Sequence, residues 1–224
     1  MISDKLVNIA KYMYKGRDRS HGINHALCVR NNALKISEEL KIKDPLTLIK
    51  IEAAALYHDV WDNKYITQNS DEHLIKKYDL EDKLKNTYFS DHDIQDIMII
   101  IDNISLTKEM TQRNNPEVLR PNLKHLQFMR DIVSDADKLE MLGQSGIDRV
   151  FQFEHYRVNN EKKLNPQHFK KVFLEIYNRK LKFLIRDNYI VTEPGRKLAE
   201  PLMKYTEEYV NSLTRIKQQT INKQ

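Results

Sequence analysis

Glycine and proline are scarce in this chain, five and six residues out of 224, and cysteine occurs once. So few turn-formers leave little room for hairpins or flexible linkers, because these residues supply the special backbone angles of tight turns. The lone Cys28 excludes an internal disulfide framework and a cysteine-based zinc ribbon, which makes a reducing, cytoplasmic compartment the expectation. Long apolar runs are missing too. The longest, Ile97 to Ile101, falls far short of the roughly 18 apolar residues that a membrane span requires. No membrane partner is expected. The opening stretch, MISDKLVNIAKYMYKG, lacks the apolar centre and cleavage site of a secretory signal. It reads as an amphipathic helix with Leu6, Ile9, Ala10 and Met13 on one side.

What is present is a balanced, charged and helical composition. Apolar residues make up 40% of the chain and charged residues 31%, enough for a core inside a well-solvated surface. The net charge is +5. Basic side chains alternate with acids instead of clustering, and the tail RIKQQTINKQ has no aromatics to stack on bases, so nucleic acid is not the expected partner. The same surplus of positive charge suits a small anionic substrate better.

Helical periodicity dominates. Ala26, Val29, Ala33, Ile36 and Leu40 recur at steps of three and four, as do Leu126, Met129, Val133, Ala136 and Leu139. A third stripe runs through Leu198, Leu202, Tyr205, Tyr209, Leu213 and Ile216. Ile51 to Tyr57 is apolar on nearly every side, which places that helix at the centre of a bundle. The Ile-rich run at 97–101 fits a buried strand as well as a helix, and Asp91 as an N-cap favours helix. Loops are expected at 15–20, 63–70, 108–121 and 159–166, where Gly, Pro, Asn and Asp gather. Pro201 implies that the final helix begins near Glu200 or bends there. No repeat or composition shift marks a second domain. The expectation is one all-α helical bundle over 1–224, of roughly eight to ten helices of ordinary length.

Chemistry concentrates in three places. His58-Asp59 closes the buried helix, and a charged aspartate beside an imidazole there is costly unless something compensates it. A divalent cation does so by turning both into ligands. Adjacent helical residues point about 100° apart, so the pair can grip an ion only from its flank and other helices must complete the site. His25 opens the Ala26–Leu40 stripe, and Asp137 follows Ala136 on the inward side of its own helix. Two imidazoles and two carboxylates make a mixed N/O site with open positions. Such a site takes one divalent metal ion, Mn2+ first, with Fe2+, Co2+, Mg2+ and Ni2+ as alternatives.

These blocks resemble the HD-domain superfamily. His25 lies in DRSHGINHALCVRNNALKI, His58-Asp59 in AAALYHDVWDNKY and Asp137 in VSDADKLEMLGQSGIDRVF, in the family's order of His, His-Asp, Asp. QHFKKVFLEIYNRKLKFL and TEPGRKLAEPLMKYTEEYV further resemble segments of a branch of small stand-alone phosphohydrolases, some of them nucleotide pyrophosphohydrolases. The likeness spans roughly residues 14–214. It implies an HD-type metal-dependent hydrolase of phosphate esters or anhydrides, with a nucleotide as the expected substrate, and it leaves a homodimer open. Two departures stand out. Gly22 replaces an acidic residue common after the first histidine, and Asp62 is the only acid in the Val60–Asn63 stretch, where hydrolases of the stringent-response alarmone carry a Glu-Asp pair.

Within that reading Asp62, one helical turn beyond His58-Asp59, is the candidate to orient water or move a proton. His21, Lys64 and Arg149 are the candidates for substrate phosphate, with Lys138 a weaker one. Asp135 differs from Asp137 by roughly 200° around a helix and is expected to cap or orient a neighbour. His92 reads as structural, VFQFEHYRV as core and pocket wall, and Cys28 as packing. Two other classes compete. A catalytically silent HD scaffold would bind a nucleotide or a protein partner, and a di-iron oxygenase would need further His and Asp ligands. Metal content of one ion, none or two irons separates the three.

Overall fold

The computed structural model describes residues 2–62, 70–115, 117–118, 121–158 and 164–221, with side chains at all of these except 70 and 216–221. The chain runs α1 (Ile2–Met13), α2 (Ile23–Glu39), α3 (Pro45–Tyr57), α4 (Ser70–Lys85), α5 (Asp91–Asp102) and α6 (Leu106–Asn114). A 3-10 turn at Lys124–Leu126 leads into α7 (Gln127–Leu139), followed by α8 (Gly143–Arg157), α9 (Pro166–Arg179), a second 3-10 turn at Leu181–Phe183, and α10 (Glu193–Ile221). Among the described residues there is no strand, so the fold is all-α as expected.

Local chemistry explains the helix starts. Asp44 accepts from the Thr47 N–H at 2.8 Å and Pro45 fills the first helical position, where no donor is required. Asn165 and Pro166 repeat the device on α9. At α5 the cap is Ser90, not Asp91. Ser90 and Asp93 satisfy each other's backbone N–H groups in a reciprocal pair that Asp91 could not form. The stretch expected as loop from Lys108 is helical as far as Asn114, because Ser105 caps α6. The final helix begins upstream of Glu200 and carries Pro201 in its interior, at the loss of one backbone hydrogen bond.

Helix α3 is the axis of the bundle. Every residue from Lys50 to Tyr57 is buried, and α1, α2, α5 and α7 pack around it. Each fully buried Leu or Ile there contributes roughly 1.5–3 kcal/mol. The charged members are paired: Lys50 reaches Asp93 at 2.5 Å and Asp96 at 2.8 Å on α5, and Glu52 meets Arg30 at 2.6 Å on α2. Helices α2 and α7 lie side by side, tied by Asn32 donating to Glu140 at 2.9 Å. The ends of α2, α3 and α7 therefore meet at one point. No described helix is long and apolar enough to cross a membrane.

Candidate metal centre

His25 stands in the first turn of α2, and His58 and Asp59 occupy the turn that ends α3. Asp137 comes from the last turn of α7. Their donor atoms converge. His25 Nε2 lies 3.1 Å from His58 Nε2, 3.3 Å from Asp137 Oδ1 and 3.6 Å from Asp59 Oδ2. His58 Nε2 lies 3.3 Å from Asp59 Oδ2 and 3.6 Å from Asp137 Oδ1. Ligands held around a cation at about 2.0–2.2 Å are roughly 3.0–3.6 Å apart along the edges of their polyhedron. The donor set and its spacing fit one divalent ion.

Electrostatics points the same way. Burial alone would raise the Asp137 carboxyl, but His25 and His58 hold it well below the ordinary carboxylate range. Burial would likewise raise Asp59, and His58 outweighs it and brings that carboxyl down. Burial pulls the His58 imidazole down, yet Asp59 and Asp137 together push it up to about 10. His25 goes the other way, lowered by burial and by Arg149. Two carboxylates thus demand positive charge at one spot between two imidazoles. A divalent cation meets that demand and leaves both rings neutral as ligands. His58 Nδ1 meets the Ala55 carbonyl at 2.9 Å, which fixes the ring and directs Nε2 inward. His25 Nδ1 is buried with no hydrogen-bond partner among the described residues, so packing alone orients that ring.

The other expected residues divide. His21 and Asp62 come together with Asp59, each offering a ligand atom within 4.8 Å of the others, so Asp59 borders both groups. His21 Nδ1 is engaged by Ser20 Oγ at 2.6 Å. Arg149 donates from Nε to the Ser20 carbonyl at 2.9 Å and brings Nη1 to 3.9 Å from Asp137 Oδ1. Lys64 lies outside the described residues. Lys138 is not at the centre. It is 1% exposed and points away, donating to Glu109 at 2.8 Å and to the Tyr189 carbonyl at 2.5 Å. Residues next to each other on a helix diverge, and Asp137 takes the direction that faces the ligands.

Asp135 orients a neighbour, as expected. It accepts from the backbone N–H groups of Val191 and Thr192 and from the Thr192 hydroxyl, whose oxygen in turn accepts from Gly195 N–H. A Cβ on Gly195 would lie 2.8 Å from Asp135 Oδ2. That close approach is what the Thr192–Gly195 stretch is for: it docks the start of α10 on the back of α7. Gly22 has a similar reason. The Asp18 carbonyl lies 2.8 Å from where its Cβ would be, so the loop before α2 closes tightly over His21.

Sequence reasoning missed Arg17 and Tyr14. Arg17 donates to the Asp59 carbonyl at 2.6 Å and to the Val60 carbonyl, and the Tyr14 hydroxyl accepts from Asp59 N–H at 3.2 Å. These contacts are to backbone, which leaves no mark in residue spacing. The one available signal was Arg17 lying in the loop that carries His21.

An all-helical bundle thus gathers two histidines and two aspartates from the ends of three helices, a set of donors that could hold a divalent ion. No protein-family model matches the chain, and no curated protein matches its sequence. Solved structures do. Bacillus subtilis YpgQ in complex with ADP is 21% identical, covers 96% of this chain and 94% of its own, and superposes with a TM-score of 0.64. A Lactobacillus plantarum protein is 22% identical with a TM-score of 0.69, covering 96% and 95%. A Bacillus thuringiensis HD-superfamily hydrolase is 21% identical with a TM-score of 0.62, covering 95% of each chain. At these identities the likeness establishes the fold. The chain has the HD-superfamily fold.

Proposed function

We propose that this protein is a metal-dependent phosphohydrolase acting on a nucleotide, through a centre held by His25, His58, Asp59 and Asp137. The observation that carries the reading is the convergence of the His25, His58 and Asp137 donors within 3.1–3.6 Å of one another, with Asp59 Oδ2 3.3 Å from His58 and 3.6 Å from His25. A divalent ion bound there lowers the pKa of a coordinated water and polarises a phosphoryl oxygen. The chain's own groups supply the rest. Asp62, beside Asp59, accepts the proton of the attacking water or orients it. His21, whose Nδ1–H is held by a Ser20 hydroxyl that itself donates to Asp18, donates from its other nitrogen to a phosphoryl oxygen as the imidazolium. Arg149, fixed on one edge by the Ser20 carbonyl, neutralises charge on the phosphate.

The HD-superfamily hydrolase among the similar structures, and the ADP held by YpgQ, support hydrolysis and a nucleotide substrate. The test measures phosphate and pyrophosphate release from a nucleotide panel with Mn2+, Co2+ or Mg2+. Wild type should turn over at least one substrate and Asp137→Ala should be slower by orders of magnitude. Equal rates for the two on every substrate would remove the assigned centre. Pyrophosphate as the product would place the chain with pyrophosphohydrolases, and orthophosphate with phosphomonoesterases.

A further inference from the structure

A cavity of about 630 Å³ opens next to the candidate centre, within the range of roughly 300–1,000 Å³ typical of small-molecule sites. Gly16, Arg17 and Arg19 form one side of it, and Phe151, His155 and Tyr156 on α8 form the other. We propose that this cavity seats the heteroaromatic base and sugar of the substrate, with the base stacked on the wall made by Phe151 and His155. The proposal rests on the phosphohydrolase reading and names where that substrate's non-reacting half lies.

Four observations carry it. Phe151 and His155 lie one helical turn apart with their rings stacked nearly parallel, 11° between planes and 6.2 Å between centroids, an orientation that a further aromatic ring could extend. Phe151 is 47% exposed and Tyr156 45%, and both line the cavity. His155 lines the cavity, and its Nδ1 has no hydrogen-bond partner among the described residues. Arg19 makes no ion pair among the described residues, which leaves its charge for a phosphate.

The cavity also shares wall residues with the surroundings of the centre. Arg17 lines it and holds the Asp59 and Val60 carbonyls. Asp18 lines it and lies 4.0 Å from His21, while Phe153 meets the His21 ring edge to face at 5.2 Å. A nucleoside in the cavity therefore directs its phosphates toward His21 and Arg149.

Binding of ADP and of inorganic pyrophosphate, measured by calorimetry with Mg2+ present, tests this without relying on turnover. Base stacking on an aromatic side chain is lost when the ring is truncated, so Phe151→Ala should raise the ratio of ADP to pyrophosphate Kd by about tenfold. His155→Gln should raise it by less. The side chain of Phe151 is half exposed, and circular dichroism checks that the variant folds. As an independent measure, photolabelling with 8-azido-ADP should mark the peptide carrying residues 151–156. An unchanged ratio with pyrophosphate still bound, or a label elsewhere, would overturn the base site alone. Failure of wild type to bind either probe would overturn the phosphohydrolase reading along with it.

Discussion

Asp135 and Asp137 sit two residues apart on α7 and face different ways, so alanine at each should give opposite results. Asp135 is fully buried and accepts from Val191 N–H at 3.0 Å, Thr192 N–H at 2.7 Å and the Thr192 hydroxyl at 2.7 Å. Removing it strands two backbone donors and a hydroxyl where α10 begins. Hydrogen bonds to a charged acceptor are worth roughly 1.5–3 kcal/mol each. Part of that is offset, because burial raises the Asp135 carboxyl and alanine removes the cost. A net loss of about 3–4 kcal/mol follows, or about 6–16 °C in Tm for a chain of this size. Asp137 is 20% exposed and its partners are the imidazoles and Arg149, so alanine there should cost about 1–2 kcal/mol without metal. Metal is the discriminator. An ion at 100 times its Kd stabilises the folded chain by about 2.7 kcal/mol, or about 5–11 °C. Thermal melts followed by circular dichroism, in chelator and in Mn2+, should show that rise for wild type and Asp135→Ala and not for Asp137→Ala. A metal-dependent rise that survives Asp137→Ala, or an Asp135→Ala protein that melts with wild type, would refute the division.

Lys138→Met should lose about 2–3 kcal/mol in urea, because Glu109 keeps Arg113 and Arg130 but loses its most buried partner. Its KM for any nucleotide should be unchanged, and a raised KM at unaltered stability would return Lys138 to the substrate. Gly146→Ala should cost about 3 kcal/mol or more, since a Cβ would lie 2.1 Å from the Met141 carbonyl oxygen, and an unshifted urea midpoint would contradict that approach. Asp93 gives a pH dependence. Burial alone would raise its carboxyl, but hydrogen bonds from Lys50 and Ser90 outweigh burial and hold it at about 2. A depressed carboxyl stabilises the fold in full above its unfolded pKa near 3.9 and loses that contribution as pH falls through 2. Asp93→Asn should therefore be less stable than wild type by roughly 1 kcal/mol at pH 6, after allowance for solvent screening, with the gap closing by pH 2.

The fold was legible where one face of a helix carries its apolar residues, as in α2 and α7, or where every face does, as in α3. Helix α4 was not, because SDEHLIKKYDLEDKLK spreads its few apolar residues among charges and only Leu80 and Leu84 are fully buried. The start of α5 was misread between two good capping residues. Ser90 and Asp91 are equally suited to the task alone, and the choice is made three residues on by Asp93. Of the two readings that Pro201 allowed for α10, a start near Glu200 or a bend there, the first does not hold: Thr192, bonded from behind by Asp135, begins the helix upstream and packing tolerates the missing donor.

For the candidate centre, residue type and order pointed to the four proposed ligands, and helical angle separated Asp135 from Asp137. The same angle applied to Lys138 turns it away from the ligands, and sequence adjacency is what made it a phosphate candidate. What no spacing could show is how neighbours His58 and Asp59 could serve one ion. A continuing helix would splay them by about 100°. Instead α3 stops at Tyr57 and the chain closes tight turns, Val60 N–H donating to the Tyr57 carbonyl and Asp62 N–H to the Asp59 carbonyl, each at 3.0 Å. Carbonyls at a helix end need donors, and Arg17 provides one to Val60 and a second to Asp59 while the Tyr14 hydroxyl accepts from the Asp59 N–H. Arg17, through its bonds to the Asp59 and Val60 carbonyls, is therefore a condition for the geometry of the proposed ligands.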